Sequence, residues 1–393
     1  MPYKKQSKGA ARQPPHRINP KEKSMHSATS NVKPDCQIVL NITVDAEFPD
    51  DKSLFITGNL PELGNWDPAG TELKPQAPGK YEIKLATPVG SIIECKVTRG
   101  SWKTQGIYTP NDIPPSNLVI KAQKNTTVPV KIIDWLDLQV KEADPVTGKL
   151  VNIESLEAKG LKYQRPIQVW LPESYSETSQ PHAVIYMHDG QNLFDPAAAF
   201  AGVDWKVDET VTELIKTGQM RPSIVVGIPN SPDRMQELNL YTSAGKHYTR
   251  FVAEVVKPYI DKNFNVLTDK NNTVIMGSSM GGLMSFQMAM TLPEIFGGAG
   301  CLSSAFGKTD GKIYEFVEKA AFLPKGVKVY LDTGEYEPPI VKAYFHMLKL
   351  LKQKGFFEGF NLMGFFDEKA THCEAAWARR LHLPLKFLLR PEI

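Results

Sequence analysis

Two rhythms of apolar and polar positions divide this chain. From Gln37 to Trp135, apolar residues alternate with polar ones in short runs: Ile38 to Val44, Ser53 to Thr57, Tyr81 to Leu85, Ile92 to Val97, Leu118 to Ile120 and Thr127 to Ile133. Gly, Pro, Asn and Asp punctuate them at roughly ten-residue intervals, which predicts a small all-β, immunoglobulin-like sandwich over residues 36–135. Residues 136–160 have mixed polarity and include Asp144-Pro145 and Thr147-Gly148; they read as a linker running into the first strand of the next domain. Beyond Gln164 the strands become near-continuous apolar runs (Ile167 to Leu171, Ala183 to Met187, Ile224 to Ile228), as parallel strands buried on both faces require. They alternate with helical periods over Val207–Thr217, Tyr248–Asp261, Leu283–Met290, Ile340–Lys354 and Glu374–Leu389. Strand–helix alternation predicts a doubly wound α/β sheet over 161–393.

One junction in that alternation carries chemistry. The run Thr273 to Met276 passes into Gly277-Ser278-Ser279-Met280-Gly281-Gly282 and then into a helical run. Strand, G-x-S-x-G, helix is the nucleophile elbow of the α/β-hydrolase fold, in which a strained turn projects the serine hydroxyl from the sheet. A serine needs a base, and the base needs an orienting carboxylate. In this fold their order is serine, acid, histidine. Of the histidines after Ser279, His346 and His382 lie inside helical runs. His372 lies in a loop after the strand Asn361 to Phe366, at a carboxyl-terminal strand end, where open α/β sheets handle ligands. For the acid, the strand Val327 to Leu331 leads into Asp332, Glu335 and Glu337; the turn at Gly334 favours Glu337, with Asp332 as the alternative. The oxyanion donors expected are the backbone amides of Met280, after the serine, and of Gln191, in the loop His188 to Asp195. The side chains of His188 and Asp189 read as a hydrogen-bonded structural turn. No octahedral ligand spacing follows Asp189 and Asp195, so no metal is expected there.

Composition narrows the class. Of the residues, 41% are apolar and 23% charged, as in an ordinary globular chain. No apolar run approaches the ~18 residues of a membrane span. Residues 1–34 hold eight Lys/Arg and one acid, so +7, which leaves −4 of the net +3 for the remainder. An acidic body argues against a nucleic-acid surface. Segment 1–35 reads as a disordered basic tail. No apolar signal-peptide core is visible, so a cytoplasmic location is the default expectation; a transit peptide, or a later start at Met25, is the alternative. Cys36, Cys95, Cys301 and Cys373 show no CxxC spacing, and a Cys36–Cys95 bridge is left open.

The segment from about Lys162 to Pro391 resembles the esterase D/enterochelin-esterase-like family of α/β-hydrolases, which includes feruloyl and acetyl xylan esterases. The resemblance rests on Val169 to Pro172 with Tyr175, His188 to Asp195, Trp205 to Asp208, Val226 to Ile228 with Arg234 and Glu237, Gly277 to Gly282, Leu331 to Gly334 with Glu337, and His372 to Trp377. It implies cofactor-free ester hydrolysis with Ser279, Glu337 and His372 as triad, acting on a small-molecule or polysaccharide ester. Phe55 to Pro68 and Glu94 to Trp102 are similar to starch-binding domains of carbohydrate-binding family 20. That likeness implies a glucan partner stacked on Trp66, with Lys96 donating to hydroxyls and Trp102 beside them; otherwise the domain serves to shape the esterase cleft.

Overall fold

The computed structural model describes residues 34–391 apart from 47–52, 111–114, 140–144, 155, 179, 201 and 369. The expected basic tail thus falls almost wholly outside the described residues. The described residues of the amino-terminal part form strands and short 3-10 turns: β1 (Cys36–Val44), β2 (Leu54–Gly58), β3 (Thr71–Leu73), β4 (Pro75–Ala77), β5 (Lys80–Thr87), β6 (Ile92–Thr98), β7 (Gly106–Ile107), β8 (Leu118–Lys121), β9 (Thr126–Ile132) and β10 (Asp134–Trp135). They form two four-stranded sheets, β4-β5-β1-β9 and β3-β2-β6-β8, and a two-stranded β10-β7 ribbon. The period-two pattern explains the arrangement. Ile38, Leu40 and Ile42 point inward from one sheet and meet Ile56, Ile93, Cys95 and Val97 from the other in one buried core. All four cysteines are free and buried, Cys36 and Cys95 included, so the bridge left open by their spacing does not form.

The second part is an eight-stranded sheet of β11 (Lys149–Ile153), β12 (Ile167–Leu171), β13 (Ala183–His188), β14 (Ser223–Ile228), β15 (Thr273–Ser278), β16 (Gly298–Leu302), β17 (Lys328–Gly334) and β18 (Leu362–Asp367). Their order is β11-β12-β14-β13-β15-β16-β17-β18, with β12 antiparallel to both neighbours and the rest parallel. Alternate residues of each strand feed two separate cores. Tyr186, Ile275 and Val329 face one, whereas Met187, Met276 and Tyr330 face the other. Both cores exclude water, which is why these strands carry no polar alternation.

The linker expectation for 136–160 needs correction. Lys149–Ile153 pairs with β12 from Ile153↔Ile167 to Lys149↔Leu171, so the hydrolase sheet begins inside that segment. Leu150, Val151 and Ile153 pack on the sheet cores, an edge-strand pattern too short to stand out as sequence.

The helices are α1 (Val207–Lys216), α2 (Arg234–Glu237), α3 (Ser243–Arg250), α4 (Lys257–Asn263), α5 (Met280–Thr291), α6 (Lys312–Lys319), α7 (Pro338–Gln353), α8 (Glu374–Arg380) and α9 (His382–Leu388), with a π-helical turn over Phe251–Val256. The single helical period over Glu374–Leu389 is thus two helices. Pro384 has no N–H to give the carbonyl of Arg380, and the chain breaks there. No helix among the described residues is long and apolar enough to cross a membrane. Among the described residues, the two parts touch where Lys103 Nζ donates to the Ala197 carbonyl (3.3 Å), Ser116 Oγ meets Thr371 Oγ1 (3.2 Å), and Trp102 packs on Phe200 with centroids 5.6 Å apart.

Candidate active site

Ser279 sits between β15 and α5 with φ 55° and ψ −116°, a strained conformation for a residue with a side chain. Close packing makes the turn possible. A Cβ on Gly277 would lie 2.8 Å from the Gly281 carbonyl carbon, and one on Gly282 would lie 2.3 Å from Ser304 Oγ. Two backbone bonds pin the elbow to the loop after β16: Ser279 N–H donates to Leu302 O (2.9 Å), and Ala305 N–H donates to Ser279 O (2.9 Å).

That loop joins the elbow to the histidine. Ser303 Oγ donates to Glu337 Oε1 (2.9 Å) and accepts from Trp377 Nε1 (3.0 Å) and Arg380 (2.6 Å). Glu337 Oε2 in turn lies 2.9 Å from His372 Nδ1, and Trp377 stands edge-on to the imidazole with centroids 4.9 Å apart. Among the described residues no hydrogen bond joins Ser279 Oγ to His372. The imidazole is engaged through Nδ1.

Glu337 occupies the residue before α7, whose first turn is Pro338-Pro339. Its carboxylate is buried and also accepts the Gly334 N–H (2.9 Å). Burial alone would raise its pKa; His372, Arg380 and Ser303 together hold it below the usual value. Asp332, the other acid considered, faces elsewhere. It binds Arg380 through both oxygens (2.9 and 3.0 Å) and accepts the Ser303 N–H (2.8 Å). Glu335 is exposed, and its backbone N–H pairs with Asp367 O.

The loop after β13 turns sharply, with Asp189 at φ 57°. A Cβ on Gly190 would come within 2.6 Å of Gly227 and Ile228 backbone, so only glycine lets this loop lie against β14. No acceptor takes the amide hydrogen of Gln191 or of Met280 among the described residues. The His188 and Asp189 side chains brace the loop. Asp189 takes Arg234 through both oxygens (2.7 Å each) and Asn230 (2.7 Å). Although burial raises its pKa, Arg234 and Asn230 pull it below normal. His188 Nδ1 meets Tyr248 Oη at 2.7 Å, and burial pushes its pKa down to about 4.

Sequence reasoning missed Ser303, Arg380 and Glu374. Ser303 had a weak signal as a polar residue just past the end of β16. Arg380, inside a helix, had none. Glu374 is buried immediately after the His372-Cys373 pair, and its pKa is raised chiefly by burial, with Lys96 and His372 pulling the other way. Lys96, a β-domain residue, donates to Gln105 Oε1 (2.5 Å) and to the Pro115 carbonyl. Trp102 is half-buried against Phe200. Trp66 is half-buried at the end of the 3-10 turn Pro61–Trp66, with φ 68°. Trp102 thus meets a hydrolase loop residue, whereas the Lys96 ammonium is held by partners within the β-domain.

The putative esterase family matches residues 158–382, more than half of the chain. The chain belongs to that family. As a member of it, the chain is a carboxylic ester hydrolase on an α/β-hydrolase-like fold. An uncharacterized Bacillus subtilis protein, YbbA, is 24% identical over 214 residues, covering 49% of this chain and 80% of that one. The endo-1,4-beta-xylanase/feruloyl esterase of Xylanibacter ruminicola is 26% identical over 221 residues, 54% of this chain but only 28% of that longer enzyme. In structure, the ferric enterobactin esterase of Salmonella typhimurium superposes with a TM-score of 0.52 at 15% identity, covering 86% of this chain and 88% of its own. That coverage exceeds the hydrolase part, so the likeness in fold includes residues of the β-domain.

Proposed function

We propose that this esterase works through a serine acyl-enzyme. The observation that carries the reading is Glu337 gripping His372 Nδ1 at 2.9 Å, beside a loop that also pins the Ser279 elbow. His372 Nε2 takes the Ser279 proton as Oγ attacks the ester carbonyl. The oxygen of the tetrahedral intermediate receives the amides of Gln191 and Met280. Collapse breaks the ester C–O bond, and His372 gives its proton to the departing alcohol. Water then attacks the acyl-enzyme, its proton passing to His372 and on to Ser279 Oγ.

We further infer a carbohydrate-linked ester, acetyl or feruloyl, as substrate. The feruloyl esterase relative supports it, as does a β-domain resembling glucan-binding modules. Trp66 is the residue of that domain to stack on a sugar face. A siderophore trilactone is the second reading, favoured by the likeness to ferric enterobactin esterase across both parts of the chain. Fluorophosphonate labelling tests the mechanism: covalent attachment at Ser279, lost in Ser279→Ala together with activity on p-nitrophenyl acetate, is the expected result. Full activity of Ser279→Ala overturns it. A screen of acetylated sugars, feruloylated sugars and a catecholate trilactone decides the substrate. Retardation of the protein, but not of Trp66→Ala, in starch gels tests the glucan partner.

A further inference from the structure

Away from the serine elbow, three acids gather where α1 begins. Asp204 lies in the preceding loop; Asp208 and Glu209 occupy the first turn. One carboxylate oxygen from each lies within 4.8 Å of the other two. Asp204 and Asp208 are 6% and 1% exposed, whereas Glu209 borders a cleft shared with Val203, Lys206, Arg379 and His382.

Part of this charge is satisfied by the chain itself. Asp208 Oδ2 accepts the Thr147 N–H (2.7 Å) and hydroxyl (3.2 Å), and Asp204 Oδ2 accepts the Lys206 N–H (3.0 Å). Lys206 Nζ stands 3.9 Å from Glu209 Oε1, the oxygen on the outer side. What remains is Asp208 Oδ1 and Glu209 Oε2. Both atoms are buried, and neither has a hydrogen-bond partner among the described residues. The dipole at the start of α1 favours acids in its first turn, but it gives neither oxygen a donor. Carboxylate oxygens cannot donate to each other, and close like charges out of water repel. The folded chain must place a positive species there, either a proton or a cation.

We propose that Asp204, Asp208 and Glu209 bind a divalent, oxygen-preferring cation of the calcium class. The donor set is oxygen alone, with no imidazole or thiolate to select a softer ion. The spacing suits ligands placed around one ion at about 2.4 Å each. The position suggests what the ion does. Trp205, between Asp204 and Lys206, packs on Trp377 of α8 with centroids 5.5 Å apart, and Trp377 stands against His372. A cation at the head of α1 therefore braces the helix beneath the imidazole.

The test uses the full chain, stripped with EDTA and titrated with Tb³⁺ or Ca²⁺. Trp205 is close enough to sensitise Tb³⁺ luminescence, so an emission that Ca²⁺ competes away is the expected result. Ca²⁺ at a hundredfold over its Kd should raise the melting temperature by about 5 °C. Asp204→Asn and Glu209→Gln, the latter at a partly exposed position where folding should survive, should each abolish both signals. If Ca²⁺, Mg²⁺ and Mn²⁺ at millimolar levels all leave luminescence and melting unchanged, the cluster holds no divalent cation and the proposal fails. These readouts do not involve ester hydrolysis, so they stand or fall apart from the serine mechanism.

Discussion

Asp332 near the end of β17 and Glu337 just before α7 lie five residues apart, yet they serve different main partners: Glu337 holds His372, and Asp332 holds Arg380. The division predicts different phenotypes. Glu337→Gln keeps the volume but removes the charge that orients the imidazole and stabilises its protonated form. A fall in kcat of about 10⁴ is expected, with folding retained. Asp332→Asn leaves a buried guanidinium without its counter-charge and should cost about 3–5 kcal/mol of stability, with a much smaller effect on kcat in the folded fraction. Steady-state kinetics and urea denaturation on both variants check this; equal kcat losses would contradict the assignment of roles.

The oxyanion assignment rests on backbone groups, so it must be tested through the residue that lets them approach. A methyl group on Gly190 would meet Gly227 and Ile228 backbone at 2.6 Å. Gly190→Ala should therefore displace the Gln191 amide and lower kcat by about 10²–10³, with little change in KM. Unchanged kcat in a folded variant would remove Gln191 from the mechanism.

The strand–turn–helix at Ser279 and the proximity of Glu337 to His372 follow from positions just past strand ends, where each apolar run stops abruptly. Ser279, Glu337 and His372 stand out against that background even before their partners are known. Arg380 was invisible because its burial depends on Asp332, 48 residues away, which local periodicity does not encode. Strand β11 was hidden for a related reason: five residues at a sheet edge carry too little pattern, and only pairing with β12 defines them. The switch from small antiparallel-rich sheets to strand–helix alternation was legible from the change in period. Contacts between the two parts, such as Ser116 with Thr371 and Trp102 with Phe200, involve single side chains and left no trace in composition.

His188 offers a pH test. Its folded pKa is depressed from 6.5 to about 4 by burial, so the folded state resists protonation that the unfolded chain accepts. The associated stability is fully present above pH 6.5 and is lost as pH falls toward 4. The shift corresponds to about 3 kcal/mol. In urea denaturation between pH 7 and 4, the parent protein should lose stability steadily. His188→Gln, which cannot take up that proton, should flatten the slope while starting from a lower value, since the hydrogen bond with Tyr248 is disturbed. A parallel slope in the variant would assign the acid sensitivity to other groups.

The pairing of Trp102 with Phe200 predicts that the β-domain matters to catalysis on large substrates. Phe200 follows the loop that carries Gln191, and Trp102 reaches it from the 3-10 turn after β6. Phe200 remains half exposed, so the pair presents aromatic surface at the boundary between the two parts. An ester carrying a sugar or a hydroxycinnamoyl ring can use that surface, whereas p-nitrophenyl acetate is too small to span it. Trp102→Ala should therefore raise KM for a feruloylated oligosaccharide about tenfold more than for p-nitrophenyl acetate, equivalent to about 1.4 kcal/mol of binding, with kcat altered less. The same variant separates two roles for the β-domain. If the domain acts as an independent glucan module, retardation in starch gels should depend on Trp66 and survive in Trp102→Ala, and KM for both esters should change together. If the domain is a wall of the cleft, Trp102→Ala should shift KM selectively whether or not starch is bound.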